Sequence, residues 1–343
     1  MDTRDAIGEF PVGGGCRVLV LSRAQTEALL DIDALIDALA SAMADLSTGR
    51  ASAPDRIGAL VPEHEGLLAA MPGYVPSAGM LMSKLVSLYP HNAGGALPTH
   101  QAVIVAFDPG TGQPVALLDG TAITAIRTGA CSALSARLLA RQDADVLAIL
   151  GTGVQARSHA RAMCRVRPIR QIRVAGRHYA KAAALAAELS ETLGTDAQAL
   201  PAYPEALRGA DTACAATHAK EPVIRRSWLT PGVHVTSVGY GGRGVDDATV
   251  RDALVCVESR RAALAPYPTG SSDLLEPIRD GVIRAEHVHT ELGELVAGTK
   301  PARQSPDQIT LYKSVGVAVQ DAAAAALVIA AAREQSAGLD VEL

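Results

Sequence analysis

Val146-Leu147-Ala148-Ile149-Leu150-Gly151-Thr152-Gly153-Val154-Gln155-Ala156 reads as a buried strand, a glycine turn and the start of a helix. An unbroken apolar run that stops at a glycine suits a strand covered on both faces, as in a parallel sheet. In the G-x-G-x-x-A spacing, Gly151 permits the tight turn, Gly153 lets the backbone approach a pyrophosphate, and Ala156 keeps the helix against the sheet. Free N–H groups at the helix start, around Val154 and Gln155, then face the phosphates. The competing reading is an ordinary glycine-rich turn in a sheet that binds nothing. A strand before the turn and a helix after it, both in register, favour the dinucleotide.

Downstream of this stretch the pattern alternates, with strands at 171–175, 212–215, 234–238 and 254–258 and a helix at 180–193. Alternation of this kind implies parallel strands joined by right-handed helical crossovers. Upstream, Leu29, Ile32, Leu35, Ile36 and Leu39 fall at helical spacing, and 66–119 breaks into short apolar runs separated by Pro and Gly, the pattern of a hairpin sheet. A helix at 121–139 leads from that sheet into the alternating region. After Arg303 the chain reads as one Ala-rich helix over 310–333, too apolar to stand alone and expected to return to the N-terminal domain. The expected architecture is α/β: a Rossmann-type doubly wound parallel sheet domain (126–305) inserted in a discontinuous α+β domain (1–125 plus 306–343).

At 343 residues, two domains sharing a cleft are the default. A net charge of −5 with few aromatic residues argues against nucleic acid or an anionic membrane as partner and for a small-molecule enzyme. Five scattered cysteines with no CxxC or Cys/His cluster indicate neither a disulfide framework nor a metal site. Residues 1–15 lack a basic segment followed by an apolar run, and Gln320 and Asp321 interrupt the most apolar stretch, 315–332. A cytoplasmic location is the simplest expectation.

The second strand of the alternating region ends Val174-Ala175-Gly176-Arg177-His178, without the carboxylate that would hold the ribose hydroxyls of NAD. A 2′-phosphate would instead meet Arg177, with His178 beside it. One charge-assisted contact of about 1.5–3 kcal/mol gives a preference on the order of 10- to 100-fold, so NADP(H) is expected ahead of NAD(H). The alternative is that Arg177 is a solvated loop residue.

Beyond the glycine motif the chain carries Pro54-Asp55-Arg56, Met71-Pro72-Gly73-Tyr74, Lys84 with Tyr89-Pro90-His91-Asn92, Pro98-Thr99-His100-Gln101, Ile126-Arg127-Thr128-Gly129-Ala130, Glu291-Leu292-Gly293-Glu294 and Thr310-Leu311-Tyr312-Lys313-Ser314-Val315-Gly316. Through these blocks, in this order, it resembles the ornithine cyclodeaminase and mu-crystallin family over essentially its whole length. The resemblance implies a substrate and dimerisation domain around an inserted Rossmann domain, and a homodimer is expected because the apolar C-terminal helix and the exposed faces of a small N-terminal sheet need cover beyond one subunit. It matches Arg56, Lys84 and Arg127 to positions that hold a substrate carboxylate, and Thr99, His100, Arg177, Thr217, Val238 and Ser314 to positions lining the dinucleotide. A structural histidine is the alternative for His100. Cyclodeaminases carry an Asp in a Gly-Gly-Asp segment after the last Rossmann strand, and Gly241 stands there in this chain. Asp246 and Asp247, just beyond, look like caps of the next helix.

These features imply an NADPH-dependent reductase of a small imine or ketimine bearing an α-carboxylate, with Arg56 and Arg127 as the clamp and Lys84 or a water supplying the proton. Ornithine cyclodeamination, alanine-dehydrogenase-like oxidative deamination and non-catalytic binding of NADP(H) are the alternatives. An imino, keto or amino acid is the expected ligand in each.

Overall fold

The computed structural model of the chain describes residues 16–239, 242–266 and 269–343. In chain order its strands are β1 (Arg17–Leu21), β2 (Ile57–Val61), β3 (Gly66–Val75), β4 (Met80–Leu88), β5 (His100–Phe107), β6 (Pro114–Asp119), β7 (Val146–Leu150), β8 (Gln171–Ala175), β9 (Asp196–Ala199), β10 (Thr212–Ala215), β11 (His234–Ser237), β12 (Leu254–Val257), β13 (Thr290–Glu291), β14 (Thr310–Lys313) and β15 (Leu339–Glu342). The chain divides into two compact units, Met1–Arg127 with Val317–Leu343, and Thr128–Gly316.

The first unit holds a sheet in the order β15-β1-β6-β5-β4-β3-β2. β2 to β6 form an antiparallel meander, while β1 runs parallel to β6 and antiparallel to β15. Period-two alternation fixes which face is inside: along β3, Leu67, Ala69, Met71 and Val75 are buried, while Leu68 and Pro72 are exposed. Helices Ile32–Ser47 and Ala318–Glu334 pack together, and the second of them lies on β3 and β4. That helix comes so close that a Cβ on Gly73 would stand 2.9 Å from the Ala318 Cβ. The helix Ile32–Ser47 starts where the Asp31 carboxylate accepts from Ala34 N–H at 2.8 Å, and it buries Leu35, Ile36 and Leu39.

The second unit holds an all-parallel sheet in the order β13-β12-β14-β11-β10-β7-β8-β9. Strand order reverses between β7 and β10, the switch point at which doubly wound sheets bind ligands beyond the C-terminal ends of their strands. Ala148, Leu150, Val235, Val255 and Leu311 are among the buried side chains of its core. Asp246 caps the helix Asp247–Asp252, its carboxylate accepting from Thr249 N–H at 2.9 Å.

The C-terminal region differs from the expectation. Thr310–Lys313 is a buried strand inserted between β11 and β12, and the helix begins only at Ala318. Pairing on both sides overrides helix propensity there, and Gly316, at φ +72°, turns the chain before the helix starts. Residues 306–316 accordingly sit in the second unit and not with 317–343. Among the described residues, no helix is long and apolar enough to cross a membrane.

The turn after β7 separates two kinds of glycine. Gly151 has φ +134°, and a Cβ there would lie 2.3 Å from the Ala216 carbonyl oxygen, whereas a Cβ on Gly153 meets nothing within 4 Å. Gly151→Ala is therefore expected to cost about 2–4 kcal/mol through backbone strain and overlap. Gly153→Ala should stay within about 0.5 kcal/mol of the parent. Denaturant midpoints of the two variants check this, and equal losses would contradict it.

Candidate active site

In the first unit, three elements place charge at one buried point. Lys84 lies on the inward face of β4 at 1 % exposure, Arg127 comes from the helix Gly120–Leu139, and Asp321 belongs to the first turn of the helix Ala318–Glu334 at 0 % exposure. Lys84 Nζ is 2.7 Å from Asp321 Oδ2, and Arg127 Nε donates to Asp321 Oδ1 at 3.0 Å. Arg127 Nη1 donates to Gln320 Oε1 at 2.7 Å, and Lys84 Nζ to Thr124 Oγ1 at 3.4 Å. Removing one member of so buried a cluster leaves charge uncompensated, at a cost of about 3–5 kcal/mol.

Burial first, and then Arg127 and Arg56, bring the Lys84 ammonium down to about 8 against the opposing pull of Asp321. Burial also tends to raise Asp321, but Lys84 and Arg127 outweigh it and hold the carboxyl below its ordinary value. Half-buried His100, at the start of β5, is lowered to about 4 by desolvation and then by Lys84 and Arg127. At neutral pH the imidazole is uncharged and the ammonium keeps its proton. Arg56 is half-buried just before β2, and exposed Thr99 accepts from Tyr89 N–H through its carbonyl at 2.9 Å.

In the second unit, the expected cofactor residues other than Thr99 and His100, which belong to the first unit, gather at the C-terminal ends of the parallel strands. Gly151, Gly153, Val154 and Gln155 follow β7, Arg177 and His178 follow β8, and Thr217, Val238 and Ser314 follow β10, β11 and β14. The helix Val154–Val166 begins without a side-chain cap, so its first N–H groups are available. Val154 is 56 % exposed, and the buried Gln155 Oε1 has no partner among the described residues. Open space at Gly153, uncapped donors and an unsatisfied amide oxygen fit a pyrophosphate and its flanking ribose. Arg177 and His178 are exposed, with Arg177 near enough to Tyr203 to bear on its phenol. Ser314 is buried and donates from Oγ to Glu258 Oε1 at 2.5 Å.

Sequence reasoning missed several of these groups. Asp321 and Gln320 were legible only as interruptions of an apolar run, although a lone carboxylate in such a helix is itself a signal that buried cations await it. Glu258 also accepts from the backbone N–H of Val315 and Gly316, at 3.2 and 3.1 Å, which shapes the turn after β14. Lys313 reaches Asp273 Oδ2 at 3.1 Å and donates to the Gly239 carbonyl at 2.8 Å, while Asp273 Oδ1 accepts from Gly244 N–H at 2.8 Å. That ion pair ties down both described ends of the loop after β11. Gly241, the position of the cyclodeaminase Asp, lies outside the described residues, as do Gly13, Gly14 and Gly15.

The profile of the ornithine cyclodeaminase/mu-crystallin family matches residues 17–336. The ketimine reductase mu-crystallin of Mus musculus is 36 % identical over 300 residues, 86 % of this chain and 90 % of the relative. The Thermococcus litoralis Delta(1)-pyrroline-2-carboxylate reductase, solved in complex with NADH and L-proline, superposes with a TM-score of 0.91 at 38 % identity, covering 94 % of this chain and all of that one. An archaeal alanine dehydrogenase dimer with bound NAD superposes with a TM-score of 0.88 at 29 % identity, covering 95 % of this chain and 99 % of that one. With its motifs, both folded units and a match to the family profile over nearly its whole length, the chain belongs to the ornithine cyclodeaminase/mu-crystallin family.

Proposed function

We propose that the protein is an NADP(H)-dependent reductase of small imines or ketimines that carry an α-carboxylate. The buried Lys84–Asp321–Arg127 cluster carries this reading. Two buried cations, Lys84 and Arg127, share one internal carboxylate, so excess positive charge remains for a substrate carboxylate to neutralise, and Arg56 is near enough to bear on Lys84. Arg supplies paired donors suited to that group. The mouse relative is a ketimine reductase, and the Thermococcus relative was solved with proline, the reduced form of a cyclic imine bearing an α-carboxylate.

In this mechanism Arg56 and Arg127 bind and orient the carboxylate. Reduced nicotinamide, when bound, supplies the hydride. Lys84 donates a proton from Nζ to the imine nitrogen, so that the π bond of C=N is replaced by one C–H and one N–H bond, the C–N single bond remains, and the amine left on Lys84 recovers its proton from water. A protonated nitrogen makes the carbon far more electrophilic, which is where general acid catalysis is most effective. His100 is neutral at this pH and has no comparable proton to give. The residues after β7 would hold the pyrophosphate, and Arg177 with His178 a 2′-phosphate.

A homodimer is part of the same proposal. Ile57, Ala70, Leu85 and Val103 stand opposite one another across β2, β3, β4 and β5, on the sheet face away from Lys84. Ile57 is 72 %, Leu85 38 % and Val103 42 % exposed, an apolar row of the kind a second copy covers. The archaeal alanine dehydrogenase neighbour is itself described as a dimer.

Oxidation of NADPH by cyclic ketimine carboxylates tests the central reading, and binding without turnover across such a panel would overturn it. Arg127→Met should lower kcat/KM by roughly 10²- to 10³-fold or more, from a loss of about 3–5 kcal/mol, and leave NADPH affinity near the parent value. An equal collapse of NADPH binding would show that Arg127 is no clamp. Arg177→Asp should reverse cofactor choice toward NADH by removing the phosphate partner and adding a ribose acceptor. Because the Thermococcus structure contains NADH, both cofactors are compared on both proteins, and an unchanged preference rules Arg177 out as the discriminator. Leu85→Glu places a charge in the apolar row and should shift light scattering from dimer toward monomer, whereas a parent that is already monomeric at micromolar concentration sinks the dimer.

A further inference from the structure

We propose that Asp321 is a positioning residue for this chemistry: by sharing its carboxylate between Lys84 and Arg127, it sets the pH at which Lys84 gives up its proton and fixes the orientation of the Arg127 guanidinium. The proposal takes its catalytic meaning from the reductase reading, while its test does not depend on turnover.

Both carboxylate oxygens of Asp321 are committed, Oδ2 to Lys84 at 2.7 Å and Oδ1 to Arg127 Nε at 3.0 Å. Its helix neighbour Gln320 accepts from Nη1 of the same guanidinium at 2.7 Å, so one residue pair spends two of the Arg127 nitrogens inside the protein. The remaining nitrogen, Nη2, is spent on neither Asp321 nor Gln320. The surroundings of Lys84 can be named element by element. The helix Gly120–Leu139 brings Arg127 and the hydroxyl of Thr124, the helix Ala318–Glu334 brings Asp321, the segment before β2 brings Arg56, and β5 brings His100. Met71 and Ile104 flank it in register on β3 and β5.

Of these groups Asp321 alone is negative. Burial and two guanidinium charges all favour the neutral amine of Lys84, and only the carboxylate opposes them strongly. Without it the midpoint would fall to neutrality or below, and the enzyme would enter its working range with a depleted acid at the imine nitrogen. With it the ammonium persists to about 8, close enough to neutrality for the proton to be both held and released.

The chain has only five lysines, Lys84, Lys181, Lys220, Lys300 and Lys313, which makes a direct titration practical. In the full-length protein labelled with [ε-¹³C]lysine, the Lys84 resonance is identified by its absence in Lys84→Gln and followed with pH. Asp321→Asn is expected to lower the Lys84 midpoint by about 1–3 units, the size of an opposite-charge contribution. The alkaline fall of kcat/KM for imine reduction should move by the same amount. A merely structural role would depress kcat/KM evenly at all pH values and leave the midpoint in place. If Asp321→Asn does not fold, Arg127→Gln decides: with one cation gone and the carboxylate left to Lys84, the midpoint should rise. A Lys84 midpoint unmoved in the variants that fold overturns the proposal. Displaced midpoints in a protein that reduces no carboxylated imine would refute the reductase reading while supporting Asp321 as the residue that controls Lys84.

Discussion

Two cations cannot be taken out of water in the first unit unless a carboxylate goes with them. Lys84 and Arg127 are both buried, and an uncompensated charge there would cost about 3–5 kcal/mol, a large part of the 5–15 kcal/mol that stabilises a domain. Their counter-charge is not local in sequence. Asp321 lies 194 positions beyond Arg127, after the entire parallel-sheet unit. The return of the C-terminal helix thus completes a hydrophobic layer over β3 and β4 and also closes an electrostatic balance that the N-terminal segment cannot close alone. A chain truncated before Ala318 would lack both.

A second buried ion pair sits just upstream of that return. Lys313 at the end of β14 meets Asp273, which also accepts from Ser237 Oγ at 2.6 Å and from Gly244 N–H. Three residues after Lys313, Gly316 turns the chain with its backbone N–H held by Glu258. The C-terminal ends of the neighbouring interior strands β11 and β14 are therefore held by charged contacts beside the expected cofactor positions Val238 and Ser314. Rigid strand ends of this kind can present backbone and hydroxyl groups to a ligand without paying ordering entropy on binding.

The parts of this architecture that were legible in sequence are those whose cause is local. The turn at Gly151 declares itself because a positive φ and close approach to the Ala216 carbonyl tolerate only glycine, and Asp246 because a cap needs only its own next turn. β14 was read as helix because its four residues have no period of their own, run into an Ala-rich segment and become a strand only through pairing with β11 and β12. Asp321 and Gln320 were read as blemishes in an apolar helix because their partners lie on a strand and a helix nearly two hundred residues or more away. Blocks such as Ile126-Arg127-Thr128-Gly129-Ala130 could name Arg127. The group that holds it in place belongs to the tertiary structure.

Burial alone does not assign chemistry to a site, as Lys84 and His100 demonstrate. Both are bases, both are desolvated, and both sit in the field of Arg127. Desolvation favours the uncharged form of each. For His100 the nearby cations add to that effect and Asp321 only weakly opposes it, so the ring ends at about 4 and can serve as a neutral hydrogen-bonding group. For Lys84, Asp321 is in contact at 2.7 Å, and a group that begins four units higher is brought only as far as about 8. Asp321 offsets the fuller burial of Lys84, so the gap of about four units that separates the two free groups survives in the fold, and the ring is neutral while the lysine remains a proton donor.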